Sequence, residues 1–173
     1  RAACSFMQTI AVIDYSMGNL RSVTKALEHV IEKNQKVILT STPADIMNAD
    51  KVVFPGQGAA RDCMGAIDEH ELKQTIIDAA HNKPFLGICM GMQVLVQESE
   101  ENGGTHCLGV YPGQVRYFGN TLTDQQGEKL KVPHMGWNQV SQTREHPLWE
   151  GIDNNSRFYF VHSYYLETGS RLS

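Results

Sequence analysis

Cys89 stands in Gly87-Ile88-Cys89-Met90-Gly91, between an apolar run, Phe85 to Ile88, and a stretch of good helix formers, Met92 to Glu98. A nucleophile held between two glycines where a strand turns into a helix is the pattern of a nucleophile elbow, here built on a thiol. The glycines are required because side chains at those places would meet the backbones of the strand and the helix. Such a site places the sulfur at a helix N-terminus, where the partial positive charge favours the thiolate. It also turns the Met90 N–H toward the same point, as half of an oxyanion hole. The competing reading, a small buried hydrophobe, is the commoner fate of a free cysteine. The strand before Cys89 and the helix after it favour the nucleophile.

The elements that must hold this elbow are legible on both sides of it. Thr9 to Ile13 reads as a strand, Asp14 to Gly18 as a turn, and Asn19 as the cap of a helix whose apolar stripe is Leu20, Val23, Leu27, Val30 and Ile31. Val37 to Leu39 is a second strand. Pro43 sits in a first helical turn, where its missing N–H costs nothing. Lys51 to Phe54 is a third strand, ending in Pro55-Gly56-Gln57-Gly58, and a helix over Glu69 to Ala80 leads into the Cys89 strand. Apolar strands without polar alternation, separated by helices, predict an α/β fold: three layers, a mostly parallel sheet with helices on both faces. Loops that do chemistry then belong at the carboxyl ends of the strands. After about residue 102 glycine-rich punctuation separates short segments, Gln114 to Phe118 and Lys129 to Val132, and an apolar strand, Phe158 to Val161. These predict a small antiparallel addition.

The 173 residues, 41% hydrophobic and 20% charged, suit one domain with one substantial core, taken as residues 7–173. A net charge of −4 without a block of Lys and Arg speaks against nucleic-acid and membrane binding. Cys4, Cys63, Cys89 and Cys107 form no framework and no Cys-x-x-Cys, which fits a reducing, cytoplasmic setting. His and Cys are scattered without ligand spacing, so neither metal nor cofactor is expected. Arg1 to Phe6 precede a methionine that opens the first strand, and are read as upstream residues outside the fold.

The elbow, together with Pro55-Gly56-Gln57-Gly58, resembles the class I (triad) glutamine amidotransferases. Val12-Ile13-Asp14-Tyr15-Ser16-Met17-Gly18-Asn19-Leu20, Pro133-His134-Met135-Gly136-Trp137-Asn138 and Phe158-Tyr159-Phe160-Val161-His162-Ser163-Tyr164-Tyr165 narrow the resemblance to the glutaminase subunits of imidazole glycerol phosphate synthases, from about Met7 to the last residue. The resemblance implies hydrolysis of L-glutamine through a Cys89 thioester, with no cofactor. It implies ammonia delivery to a (β/α)8 cyclase subunit in histidine biosynthesis. By the same resemblance Gln57 supplies the second oxyanion donor beside Met90. Gly56, Gly58, Gln93, Ser163 and Tyr164 hold the substrate, Gln93 standing one helical turn beyond Cys89. The partner-facing residues are expected to include Asn19, at a helix start beside a strand end, and Trp137 and Asn138, in a polar segment without core periodicity.

The family's His-Pro-Glu motif, which carries its base, is absent. His146-Pro147 is followed by Leu148, and His162 matches a position outside the triad and reads as structural. His29, His70, His81 and His106 lie in polar contexts. The expectation is a chain cut short at its C-terminus, with the base beyond Ser173 and the activity of this polypeptide in question. Two other readings stay open: an amidotransferase for anthranilate, guanylate or carbamoyl phosphate, and a redox-sensing protein of the same fold with an oxidisable elbow thiol.

Overall fold

In the computed structural model of the protein, residues 6–169 are described. Cys4, most of the upstream segment and the final Leu172-Ser173 lie outside them. The chain forms two compact units, residues 1–114 and 115–173.

The first unit is built on four parallel strands, β1 (Gln8–Ile13), β2 (Gln35–Thr40), β3 (Lys51–Phe54) and β4 (Phe85–Gly87), in the order β2-β1-β3-β4. Strand periodicity divides β1 between two cores. Ile10 and Val12, with Val53, meet Leu20, Val23, Leu27 and Ile31 of helix α1 (Leu20–Val30) and the segment after it. Ile13, with Val52 and Phe54, faces the other layer, made of α2 (Pro43–Asn48), α3 (Ala60–Glu69) and α4 (Lys73–Asn82), through Ile46, Cys63, Ile67, Ile76 and Ala79. Helices therefore cover both faces, as the unalternated strands require. Asn19 caps α1, its side-chain oxygen accepting from the Ser22 N–H at 3.2 Å. Val30, the last residue of the helix, is on the rim of the apolar stripe and is exposed rather than packed.

Two helical expectations are corrected. The helix placed over Glu69 to Ala80 is two helices, α3 and α4, and α3 went unread altogether. The break is a Schellman turn: the Leu72 N–H reaches the Ile67 carbonyl at 3.0 Å and the Glu71 N–H the Asp68 carbonyl at 3.0 Å, with Glu71 at φ +54°. The helix expected over Met92 to Glu98 is a single turn, α5 (Met90–Gln93). Val94, Leu95 and Val96 are all buried, and their carbonyls accept instead from the N–H groups of Leu108, Tyr111 and Gly109. A short antiparallel pair follows, β5 (Glu98–Ser99) with β6 (Thr105–His106).

The second unit is antiparallel. β8 (His134–Gln139) pairs with β9 (Arg157–His162) from His134↔His162 to Gln139↔Arg157, and β7 (Gln114–Tyr117) neighbours β10 (Tyr164–Glu167). The strand around Phe158 to Val161 forms as expected, but most of its side chains are exposed, because its partner is one strand of a ribbon. Lys129 to Val132 is no strand. It belongs to a loop closed by the Asp124 carboxylate, which accepts from the Gln126 and Glu128 N–H groups, and holds one bridge, Thr123↔Lys129.

Candidate active site

Parallel pairing places the carboxyl ends of β3 and β4 side by side, Phe54 opposite Gly87, so that the loops beginning at Pro55 and Ile88 start as neighbours. Cys89 lies at the tip of the second loop with φ +54° and ψ −121°, a conformation L-residues rarely hold, and it is exposed. The glycines around it have no alternative. A Cβ on Gly91 would stand 1.9 Å from the Phe54 carbonyl oxygen, and one on Gly87 would stand 2.8 Å from Met92 Cα. The elbow read from the sequence is thus a strained turn wedged against the neighbouring strand. Its following helix is one turn, which sums few peptide dipoles, so the dipole contributes less than the sequence suggested.

Gly56 packs directly beside the elbow. A Cβ on it would lie 2.7 Å from both the Gly91 nitrogen and the Tyr15 hydroxyl oxygen. Its carbonyl accepts the Met90 N–H at 3.3 Å. In a trans peptide the C=O and the next N–H point opposite ways, so the Gln57 N–H is directed away from Met90. The two donors assigned to an oxyanion hole do not converge in this state: one is bonded to Gly56, the other turned outward. Gln57 and Gly58 are exposed, and Gln93 is half-buried with its N–H on the Cys89 carbonyl at 3.1 Å.

Buried groups that the sequence did not single out hold this loop. The Tyr15 hydroxyl donates to the Pro55 carbonyl at 2.7 Å and the Cys63 thiol to the Gln57 carbonyl at 3.2 Å. The Glu101 carboxylate accepts the Ala60 N–H at 2.9 Å, at the start of the helix that carries Cys63. Burial raises the pKa of both Tyr15 and Cys63, so each stays protonated and able to donate. The Tyr15 and Glu101 contacts join residues 40 and 41 apart in the chain, the Cys63 contact residues six apart, and no local pattern announces any of them. Asn19 begins α1 in the same neighbourhood. A Cβ on the adjacent Gly18 would be 3.3 Å from the Gly56 nitrogen.

In the second unit Trp137 is exposed and meets Tyr159 edge to face, with centroids 5.5 Å apart. It fills no core. Asn138 reaches His134 Nε2 at 2.6 Å, His134 Nδ1 reaches His162 Nε2 at 2.8 Å, and His162 Nδ1 reaches the Tyr164 carbonyl at 2.7 Å. The carbonyl is acceptor only, so His162 donates from Nδ1 and accepts on Nε2. Both ring nitrogens of His162 are occupied, Nε2 by His134 across the ribbon and Nδ1 by the turn that bears Ser163 and Tyr164, and the Ser163 carbonyl accepts from the Phe118 N–H at 3.0 Å. His146 accepts from the Leu148 N–H in its own loop. Among the described residues no group of three or more His, Cys, Asp or Glu could hold a metal ion.

The model of the family "Glutamine amidotransferase class-I" matches residues 11–172. The chain belongs to the class I glutamine amidotransferases, in their HisH branch. It is 58% identical over 163 residues to the imidazole glycerol phosphate synthase subunit HisH of Pseudomonas putida, covering 94% of this chain and 76% of that one. It is 60% identical over 159 residues to the protein of the same name from Thiobacillus denitrificans, covering 91% and 69%. A crystal structure of a glutamine amidotransferase from Thermotoga maritima superposes with a TM-score of 0.57 at 16% identity, covering 95% of this chain and 64% of that one, a likeness of fold. The amidotransferase class and the layered α/β architecture read from the sequence both hold.

Proposed function

We propose that the protein is the glutaminase subunit of an imidazole glycerol phosphate synthase, acting in the cytoplasm and passing ammonia to a (β/α)8 cyclase subunit. The observation that carries the chemistry is Cys89, exposed at φ +54° on a turn that Gly87 and Gly91 alone permit, beside the Gly56–Gln57 peptide. The thiolate attacks the γ-carboxamide carbon of glutamine and the carbonyl oxygen takes the negative charge. Collapse of this intermediate breaks the C–N bond and expels ammonia once the nitrogen has gained a proton. Water then cleaves the γ-glutamyl thioester to glutamate and regenerates the thiol. Gln93, one helical turn beyond Cys89, is assigned to the substrate, and Ser163 and Tyr164 are assigned to its amino-acid end on the family resemblance alone. His162, with both ring nitrogens hydrogen-bonded, is assigned as a support for the Ser163–Tyr164 turn rather than as the base.

The oxyanion hole is made by Met90 and Gln57 once the Gly56–Gln57 peptide has rotated, freeing the Met90 N–H and turning the Gln57 N–H inward. A cyclase subunit with its nucleotide bound favours that rotated state, which ties ammonia release to the presence of an acceptor. Asn19, Trp137 and Asn138 are assigned to the cyclase-facing surface. The anthranilate, guanylate and carbamoyl phosphate alternatives are disfavoured by the shared name of the relatives at 58% and 60% identity.

The test uses the protein together with its cyclase. Cys89→Ser is expected to abolish glutamine-dependent synthesis while synthesis from added ammonia continues. An electrophilic glutamine analogue is expected to label Cys89 in the parent protein. Retained glutamine use in the mutant, or an unlabelled Cys89, would overturn the assignment.

A further inference from the structure

The oxyanion loop is fastened on both sides of the one peptide that must turn. On its N-terminal side the Pro55 carbonyl accepts from the Tyr15 hydroxyl at 2.7 Å. On its C-terminal side the Gln57 carbonyl accepts from the Cys63 thiol at 3.2 Å. Between these two bonds lies the Gly56–Gln57 peptide, whose carbonyl is held by the Met90 N–H. The fastening groups do not move easily. Tyr15 and Cys63 are fully buried, Tyr15 packs its ring on Phe54 with centroids 5.3 Å apart, and Cys63 lies in the first turn of α3, whose start the Glu101 carboxylate holds. Gly56 has no Cβ to oppose a change in its own ψ, so the peptide can rotate like a crank while the carbonyls on either side stay where they are.

Resting on the glutaminase reading, we infer that Tyr15 and Cys63 are positioning residues for the oxyanion hole, fixing the two flanking peptides so that the Gly56–Gln57 peptide alone turns between its resting and its catalytic orientation. Neither touches the reacting atoms. Their effect is on precision, because an oxyanion donor works only when held within a few tenths of an ångström of the place where charge develops. If either bond is lost, the neighbouring peptide shares the rotation and the Gln57 N–H is spread over a wider range of positions. Ground-state binding of glutamine, shared with Gln93, Ser163 and Tyr164 outside this loop, is affected far less than the oxyanion donor.

Tyr15→Phe keeps the ring and removes the donor; Cys63→Ala removes the thiol; Cys63→Ser restores a donor. In the full-length protein with cyclase and its nucleotide ligand, Tyr15→Phe and Cys63→Ala are each expected to lower glutaminase kcat about five-fold, the effect of one net hydrogen bond, with KM for glutamine changed less than about two-fold. Cys63→Ser is expected to recover most of the loss, and synthesis from added ammonia is expected to be unaltered in all three. Amide hydrogen exchange gives a second readout that needs no turnover: Met90, whose N–H is bonded to the Gly56 carbonyl, is expected to exchange several-fold faster in Tyr15→Phe and Cys63→Ala than in the parent. Unchanged kcat, a loss that appears in KM instead, or serine no better than alanine would overturn the positioning role. Unchanged exchange would overturn it even in a protein that proved not to hydrolyse glutamine, whereas failure of the glutaminase reading shows in the parent protein as glutamine left uncleaved.

Discussion

At the scale of single residues, backbone space decides the site more than side-chain chemistry does. Gly91 lies so close to β3 that a methyl group would overlap the Phe54 carbonyl oxygen. Gly91→Ala is therefore expected to destabilise the protein by at least ~2 kcal/mol and to abolish Cys89 labelling by the glutamine analogue, measured by denaturant unfolding and mass spectrometry. The thiols divide by surroundings. Cys89 is exposed, Cys63 is buried, and burial, with Glu98 next in effect, pushes the Cys107 thiol up to about 11. Alkylation at mildly alkaline pH is expected to reach Cys89 well before Cys63 or Cys107. A thiol whose pKa is raised by folding holds its proton longer in the native state than in the unfolded chain. Stability from Cys107 is thus complete below the ordinary value of 9.0 and is lost as pH climbs toward 11. Chemical denaturation across that range should show the fall, and Cys107→Ala should reduce it, the remainder coming from the raised Cys63 and Tyr15. The Cys89 elbow was legible because glycine, thiol and glycine are adjacent in the chain. Tyr15 and Cys63 were not, because what they do is set by a carbonyl 40 residues from Tyr15 and by a loop turn above Cys63.

At the scale of elements, the chain is legible where periodicity and capping agree and obscure where a turn lacks its usual residue. β3 and the Asn19 cap of α1 were both read correctly, since an apolar β-branched run and an Asn before a helical stripe each have one plain meaning. The α3–α4 break was missed because its left-handed position holds Glu71 where glycine is usual. That residue is a standing cost. Glu71→Gly relieves a left-handed penalty of ~1–2 kcal/mol, offset in part by the greater freedom glycine has when unfolded. A net stabilisation of about 0.5–1 kcal/mol is expected, visible as a rise of a few degrees in Tm. An unchanged or lower Tm would show that the Glu71 side chain contributes something its backbone angle does not reveal. The one-turn α5 was obscure for another reason: Met92 to Glu98 are good helix formers, but the Val94 to Val96 carbonyls have partners in the 108–111 segment, and tertiary hydrogen bonding overrides propensity.

At the scale of the whole molecule, the first unit carries Cys89 and the Gly56–Gln57 loop, and the second carries an antiparallel ribbon proposed for docking. Along that ribbon Met135 pairs with Val161 and Trp137 with Tyr159, and all four side chains are more than half exposed. Four large apolar side chains in cross-strand register make a contiguous patch, whereas scattered exposed apolar residues would need no explanation. A glutaminase that releases ammonia into water loses it to protonation, so the proposed function calls for a tight seal against a second active site. A rigid aromatic pair on a ribbon is the kind of anchor that binds such a surface. Trp137→Ala in the full-length protein is expected to weaken association with the cyclase by about 2 kcal/mol, some thirty-fold in Kd, as read by sedimentation or titration calorimetry. The same variant is expected to lose the rise in glutaminase rate that cyclase and nucleotide bring at limiting cyclase, and to regain it when cyclase is in excess, because the loss is one of docking rather than of the oxyanion loop. An affinity unchanged by Trp137→Ala would remove the ribbon from the interface. A rate that excess cyclase failed to restore would mean that Trp137 carries the signal to the loop as well as the contact.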